Sequence, residues 1–164
     1  MQVSQGSLDG KGLRVAIVAA RFNEVVVDKL VDGALDCLRR HWGDEDDLQL
    51  VWVPGSFELP LVARRLAESD RVDAIVALGA VVRGQTAHFD YVAAQAAEVG
   101  RVALTTGVPI TFGTLPTETF EQAVDRAGGK LGNKGWEAAL AAIETARLLE
   151  QIKGGDDGPR PGFR

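Results

Sequence analysis

A single cysteine, Cys37, rules out an internal disulfide framework in this chain of 164 residues. Cys37 lies at the edge of a helical apolar stripe and reads as an inert core residue. Histidines are nearly as scarce. His41 and His88 are the two present, and neither is spaced with Cys, Asp or Glu in a way that builds a zinc site. No metal and no cofactor are therefore expected. His41 follows Arg39 and Arg40 at the end of a helix, where positive charge suits the helix dipole. Basic residues are outnumbered, with 18 Lys and Arg against 23 Asp and Glu for a net charge of −5. That balance excludes a nucleic-acid partner, whose phosphates call for a basic face. No apolar run approaches the ~20 residues that a membrane span needs, and no signal-peptide pattern opens the chain. Neither membrane association nor export is expected, and the reading is a cytoplasmic protein. Walker-type lysine motifs, dinucleotide fingerprints and internal repeats are also missing.

What is present is an alternation of strand-like and helix-like segments. Leu13 to Ala19 is a continuous apolar run, as expected for a strand covered on both faces. Val27, Leu30, Val31, Ala34, Leu35, Leu38 and Trp42 then recur at helical spacing. An acidic turn, Gly43 to Asp47, precedes a strand over Leu48 to Val53 that Pro54-Gly55 stops. Ser56 is placed to cap a helix bearing Leu59, Val62, Ala63 and Leu66. A strand at Val72 to Leu78, a glycine turn, and a helix with Phe89, Val92, Ala93 and Ala96 follow. Arg101 to Thr105 reads as a further strand and Ile110 to Phe112 as a short run. A short helix starts at Thr117 or Thr119, and the final helix spans about Trp136 to Ile152. Residues 1–153 form one expected domain. The tail 154–164 has no core-forming pattern and is expected to be disordered. Such alternation implies a parallel sheet between helical layers, with ligands beyond the C-terminal strand ends.

The segments on that rim carry the chemistry. From Gly79 to Tyr91 a buried strand leads through a glycine-bracketed turn, with Arg83, Gln85 and Thr86, into a helix whose first turn holds His88. Free backbone N–H groups and the helix dipole favour an anion there, and histidine adds a group that moves protons near neutral pH. Phe22, beside Asn23, either covers a helix end or offers its ring to a planar ligand. Phe57 is a second aromatic on the rim. Glu58 reads first as dipole compensation in a helical first turn, and Arg126 as the same at a helix C-terminus. The loop after Arg126 contains Gly128, Gly129, Gly132 and Gly135, which point to close packing or an unusual turn.

The pieces RFN at 21–23, PGSFELP at 54–60, GAVVRGQTAHFDYV at 79–92, ITFG at 110–113 and DRAGGKLGNKGWEAA at 125–139 closely resemble lumazine synthase, in matching order and spacing, from about Leu13 to Ile152. The resemblance implies an α/β fold: a three-layer αβα sandwich around a four-stranded parallel sheet, flavodoxin-like, with the N-terminal segment Gln2 to Gly6 added as a strand to a neighbouring subunit. It implies condensation of 5-amino-6-(D-ribitylamino)uracil with L-3,4-dihydroxy-2-butanone 4-phosphate, giving 6,7-dimethyl-8-ribityllumazine, phosphate and water in riboflavin synthesis.

By the matched motifs, His88 is the catalytic residue. Phe22, Asn23, Ser56, Phe57, Glu58, Ala80, Val81, Val82 and Phe112 hold the ribitylaminouracil. Gln85, Thr86, Arg126 and Lys134 hold the butanone phosphate, with Phe112 and Arg126 supplied by a neighbouring subunit. The resemblance further implies a homo-oligomer, a pentamer assembled into an icosahedral shell of roughly sixty subunits, with riboflavin synthase a candidate partner. The chain departs from the family pattern at Gly113-Thr114-Leu115-Pro116 and in a slightly short link before Arg101. On the residues alone, a non-catalytic binder of flavin-like ligands remains the rival reading.

Overall fold

Six consecutive apolar residues make β1 (Val15–Ala20), and all six are buried. They alternate between two separate cores. Val15, Ile17 and Ala19 belong to one, and Ala16, Val18 and Ala20 to the other. An unbroken apolar run is what a strand needs when helices cover both faces of its sheet. The computed structural model describes Met1, residues 3–42 and residues 46–154. Gln2, the greater part of the expected acidic turn and the tail beyond Gly154 lie outside the described residues.

The chain continues through α1 (Glu24–Trp42), β2 (Leu48–Val53), a 3-10 turn at Ser56–Glu58, α2 (Leu59–Ala67) and β3 (Ala74–Val82). Then come α3 (His88–Ala97), α4 (Val99–Thr106), β4 (Ile110–Thr117), α5 (Phe120–Arg126), the small strands β5 (Ala127–Gly129) and β6 (Gly132–Asn133), and α6 (Lys134–Gly154). The main sheet is four-stranded in the order β2-β1-β3-β4, and every neighbouring pair is parallel. One core packs Leu30, Ala34 and Leu38 of α1 and Ile143 of α6 against the sheet. The other packs Leu59 and Ala63 of α2 and Val99 of α4 against the opposite face. The result is the expected α/β sandwich of the flavodoxin-like kind.

Several expectations need correction. Arg101 to Thr105 is not a strand but part of α4. Its β-branched residues suit a strand by propensity, yet the Thr105 and Thr106 hydroxyls donate to the Arg101 and Val102 carbonyls one helical turn back, both at 2.8 Å. Gly107, at φ 74°, ends that helix. The "short link" before Arg101 is therefore helix as well. Ser56 is not a helix cap: Gly55 takes that place before the 3-10 turn, and the Glu58 carboxylate accepts its N–H at 2.9 Å. β3 extends through Val82, so Gly79 to Val82 is strand rather than turn. β4 extends to Thr117 and contains the departing residues Gly113 to Pro116. Pro116 is tolerated because β4 is the sheet edge. Thr119 does cap α5, accepting the Gln122 N–H at 3.2 Å.

At the N-terminus, residues 3–6 form no strand within one chain. Gly6 instead lies against the Glu144 carbonyl of α6, and Gln151 Nε2 donates to the Gln5 carbonyl at 3.1 Å. Cys37 is free and buried, and burial, with Asp36 nearby, pushes its thiol up to about 11. That suits an inert thiol.

The glycines after Arg126 divide between the two expected uses. Gly128 and Gly132 take positive φ in the β5–β6 hairpin, and Gly129 and Gly135 are sites of close approach. At Gly135 a Cβ would sit 2.0 Å from the Leu30 carbonyl oxygen, so α6 meets α1 there backbone to backbone. Gly135→Ala gains about 1 kcal/mol of helix propensity, against overpacking that typically costs about 1–3 kcal/mol and here meets unyielding backbone. Net destabilisation is expected, read as a lower urea midpoint at unchanged slope. A midpoint that stays or rises would show that α6 can shift outward freely.

Candidate active site

Beyond the C-terminal ends of β1, β2 and β3 the chain must turn three times, and these turns are braced on one another. After β1, the Arg21 and Phe22 N–H groups donate to the carbonyls of Val53 and Pro54, at 2.9 and 3.1 Å. Asn23 then takes φ 62°, a left-handed conformation that asparagine tolerates better than most side chains. Its Nδ2 donates to the Ala80 carbonyl at 2.8 Å, and its own carbonyl accepts the Val26 and Val27 N–H groups that start α1. The turn after β1 is thus tied to both β2 and β3. Ser56, almost wholly buried, lies over Gly79, where a Cβ would come within 2.4 Å of its Oγ. Only glycine lets the 3-10 turn settle onto β3.

These turns enclose a cavity of about 590 Å³, within the usual range for small-molecule sites. Of the expected residues, Phe22, Asn23, Ser56, Phe57, Glu58, Ala80, Val81, Val82, Thr86 and His88 line it. His88 is the first residue of α3. Its ring has no hydrogen-bond partner among the described residues, and its N–H reaches the Thr86 hydroxyl at 3.4 Å. The backbone N–H groups of Gly84, Gln85, Thr86 and Ala87 are likewise unpaired among the described residues. That leaves a row of donors at a helix start, the arrangement that suits an anion. Gln85 lies in this exposed turn but not on the cavity wall.

Phe112, Arg126 and Lys134 are not in this cavity. They line a different one of about 610 Å³, between β4, the end of α5 and the start of α6. Arg126 Nη1 donates to the Gln122 carbonyl at 3.0 Å, and Lys134 pairs with Glu137. Within one chain the expected residues therefore fall into two groups. Pro54, Gly55 and Gly84, which lie on the rim segments but were given no role, also line the first cavity, as do Phe89 and Val92, which sequence reasoning did not place at the site. Phe89 and Val92 were named only as apolar positions of the helix after the glycine turn. Both are only half-buried, so the signal was sound and the face it pointed to was the cavity.

The family model for 6,7-dimethyl-8-ribityllumazine synthase matches residues 12–150. The chain belongs to this family. It is a transferase of riboflavin biosynthesis, which condenses 5-amino-6-(D-ribitylamino)uracil with L-3,4-dihydroxy-2-butanone 4-phosphate to 6,7-dimethyl-8-ribityllumazine. Like its family, the chain acts on small molecules and forms homo-oligomers. Among the described residues no group of three or more His, Cys, Asp or Glu could hold a metal ion, and no helix is long and apolar enough to cross a membrane.

The exposure of Phe22 bears on the packing reading of its ring. At 71% exposed, it does not cover a helix end within the chain. Phe22→Ala should leave the denaturation free energy of the lumazine synthase within about 0.5 kcal/mol, as for surface substitutions generally. A larger loss in urea titration would return the ring to a packing role.

Proposed function

We propose that the first cavity binds the ribitylaminouracil, that His88 moves the protons of the condensation, and that a neighbouring copy of the chain completes the site with Phe112, Arg126 and Lys134. The observation that carries this is the separation of the expected residues into two groups on one chain. A surface that presents a phosphate-suited guanidinium and an aromatic ring away from the proton-moving histidine is half of a site. A second copy supplies the other half.

In this reading the pyrimidine stacks on Phe22, while Ser56, Phe57, Glu58 and Asn23 and the strand residues Ala80, Val81 and Val82 set its orientation and hold the ribityl chain. The phosphate rests on the unpaired N–H groups of the 84–87 turn, with Gln85 and the Thr86 hydroxyl. Arg126 of the neighbour adds paired, charge-assisted hydrogen bonds, and Lys134 a second positive charge. The 5-amino nitrogen attacks the ketone carbon, and loss of water leaves an imine. A proton then leaves C3 as phosphate is eliminated from C4, the resulting enol tautomerises to a ketone at C3, and the ribitylamino nitrogen attacks that carbon, closing the ring with loss of water. Each step moves a proton to or from nitrogen, carbon or oxygen, and His88 is the free acid–base group on the cavity wall. Holding two reactive molecules in register accounts for the rest of the rate.

The assembly we favour is the family's pentamer, twelve of which close into a shell of roughly sixty chains with point-group symmetry. Large apolar side chains without cover in one chain support association, Leu104 at 89% and Tyr91 at 69% exposed. The short hairpin between α5 and α6 supports the shell over the smaller forms, and residues 2–6 would join a neighbour's sheet edge. Riboflavin synthase, which consumes the product, is the partner we propose, in a cytoplasm where a free Cys37 stays reduced.

His88→Ala should lower turnover by ~10²–10⁴-fold, the usual worth of general acid–base catalysis, while lumazine and phosphate still form slowly. Undiminished turnover would remove His88 from the mechanism. Arg126→Ala should raise KM for the butanone phosphate and spare binding of the ribitylaminouracil. Because the two residues act on one site from different chains, co-assembled His88→Ala and Arg126→Ala chains should recover roughly a quarter of the wild-type sites by random mixing in a closed ring. No recovery would place both residues in one chain's site. Light scattering on the same samples separates a shell from five or ten chains.

A further inference from the structure

Arg83 is outside the cavity wall and has no role in the site described above, yet it makes the densest set of side-chain contacts near it. Its Nε pairs with Glu118, just past the end of β4, at 2.7 Å. Its Nη2 donates to Asp90, in the first turn of α3, at 3.1 Å. The guanidinium carbon sits 4.2 Å from the centroid of the Phe89 ring, and Phe89 does line the cavity. The Arg83 N–H itself donates to the Thr117 carbonyl at 2.9 Å, the last rung between β3 and β4.

Little else holds this part of the chain. Residues 83–88 are all exposed, and a Cβ on Gly84 would meet nothing within 4 Å. Of the ten residues of α3, only Ala96, near its far end, is buried within one chain. The start of α3 is therefore only partly packed in its own subunit, with Phe89 and Val92 half-buried and the helix resting against the 3-10 turn. The guanidinium is its polar link to the edge of the sheet.

We propose that Arg83 is a positioning residue of the lumazine synthase reaction. By forking between Asp90 and Glu118 over the Phe89 ring, it fixes the turn carrying Thr86 and the helix start carrying His88. Arg83 does not bind the phosphate in this arrangement. Two carboxylates surround one guanidinium, so the cluster carries net negative charge and is satisfied within the chain. Arginine is required because a planar fork can serve two carboxylates and an aromatic face together, whereas a lysine ammonium is a single point of charge. The inference rests on His88 as the proton-moving group.

The test is a double-mutant cycle with steady-state kinetics on assembled protein. Arg83→Ala should lower kcat by roughly tenfold or more, while KM for the ribitylaminouracil changes by less than about twofold. In the His88→Ala background the same substitution should lower kcat by less than about threefold, because the proton-moving group it positions is gone, and its effect through the Thr86 turn is read in KM for the butanone phosphate instead. Arg83→Lys should restore part of the loss. Should Arg83→Ala fail to assemble, Asp90→Asn and Glu118→Gln remove one arm each and go through the same cycle. An equal loss with and without His88, or unchanged kcat in Arg83→Ala, overturns the clamp while His88 keeps its role. Wild-type turnover in His88→Ala overturns the His88 reading, and the clamp with it.

Discussion

Burial of the central strand pair on both faces is the constraint from which the rest of the molecule follows. β1 and the greater part of β3 are apolar and inaccessible throughout, because helices cover each face of the sheet. A polar ligand has no place on either face. It is left the edge where the parallel strands end and the chain turns outward, and there β1, β2 and β3 deliver their turns side by side. The strand order brings this about: β1 and β3 are sheet neighbours, although α1, β2 and α2 lie between them in the chain.

That edge is only useful if its turns are rigid. Much of the bracing comes from polar groups that also line the cavity. Asn23 was read as a substrate contact, and its amide is already donating to Ala80 across the sheet. Glu58 accepts the Gly55 N–H, which agrees with the modest reading of that carboxylate as helix-start compensation and leaves its second oxygen for other partners. The fixed geometry of Ser56 over Gly79 serves the same end. By contrast, the 84–87 turn and His88 have unused donors and acceptors. The rim thus separates a braced side, suited to hold a planar ring in one orientation, from an open side suited to a phosphate and to proton movement.

Legibility of the fold in the sequence varied with the length and surroundings of each element. β1 was plain as an unbroken apolar run, and α1 because it keeps one period over many residues. Arg101 to Thr105 misled because a run of five residues with Val102 and Thr105 β-branched fits a strand locally. Their helical state goes with packing of Val99 against the sheet, which anchors the helix start, and with Gly107 closing its end. The glycine at 79 was read as the start of a turn. Its true meaning, room for Ser56, depends on a residue more than twenty positions earlier. Among the site residues, His88, Phe22 and the Ser56–Glu58 segment were legible as a group because they follow strand ends. Arg83 was visible only as a charge in a turn, and nothing local pointed to Asp90 and Glu118 as its partners.

From the sequence alone came the fold class and, through long ordered motifs, the family and its reaction. These depend on composition, on periodicity, and on local runs that the chain carries wherever it folds. What only the tertiary structure decided is which residues share a cavity. It gathered Phe22, Ser56, Ala80 and His88 around one space and set Phe112, Arg126 and Lys134 around another. The physical reason is that such groupings are set by strand order and by the register of parallel pairing, as in Ala19 opposite Leu78 and Val82 opposite Thr117. Register is a property of pairs of distant segments, and no local pattern of residues contains it.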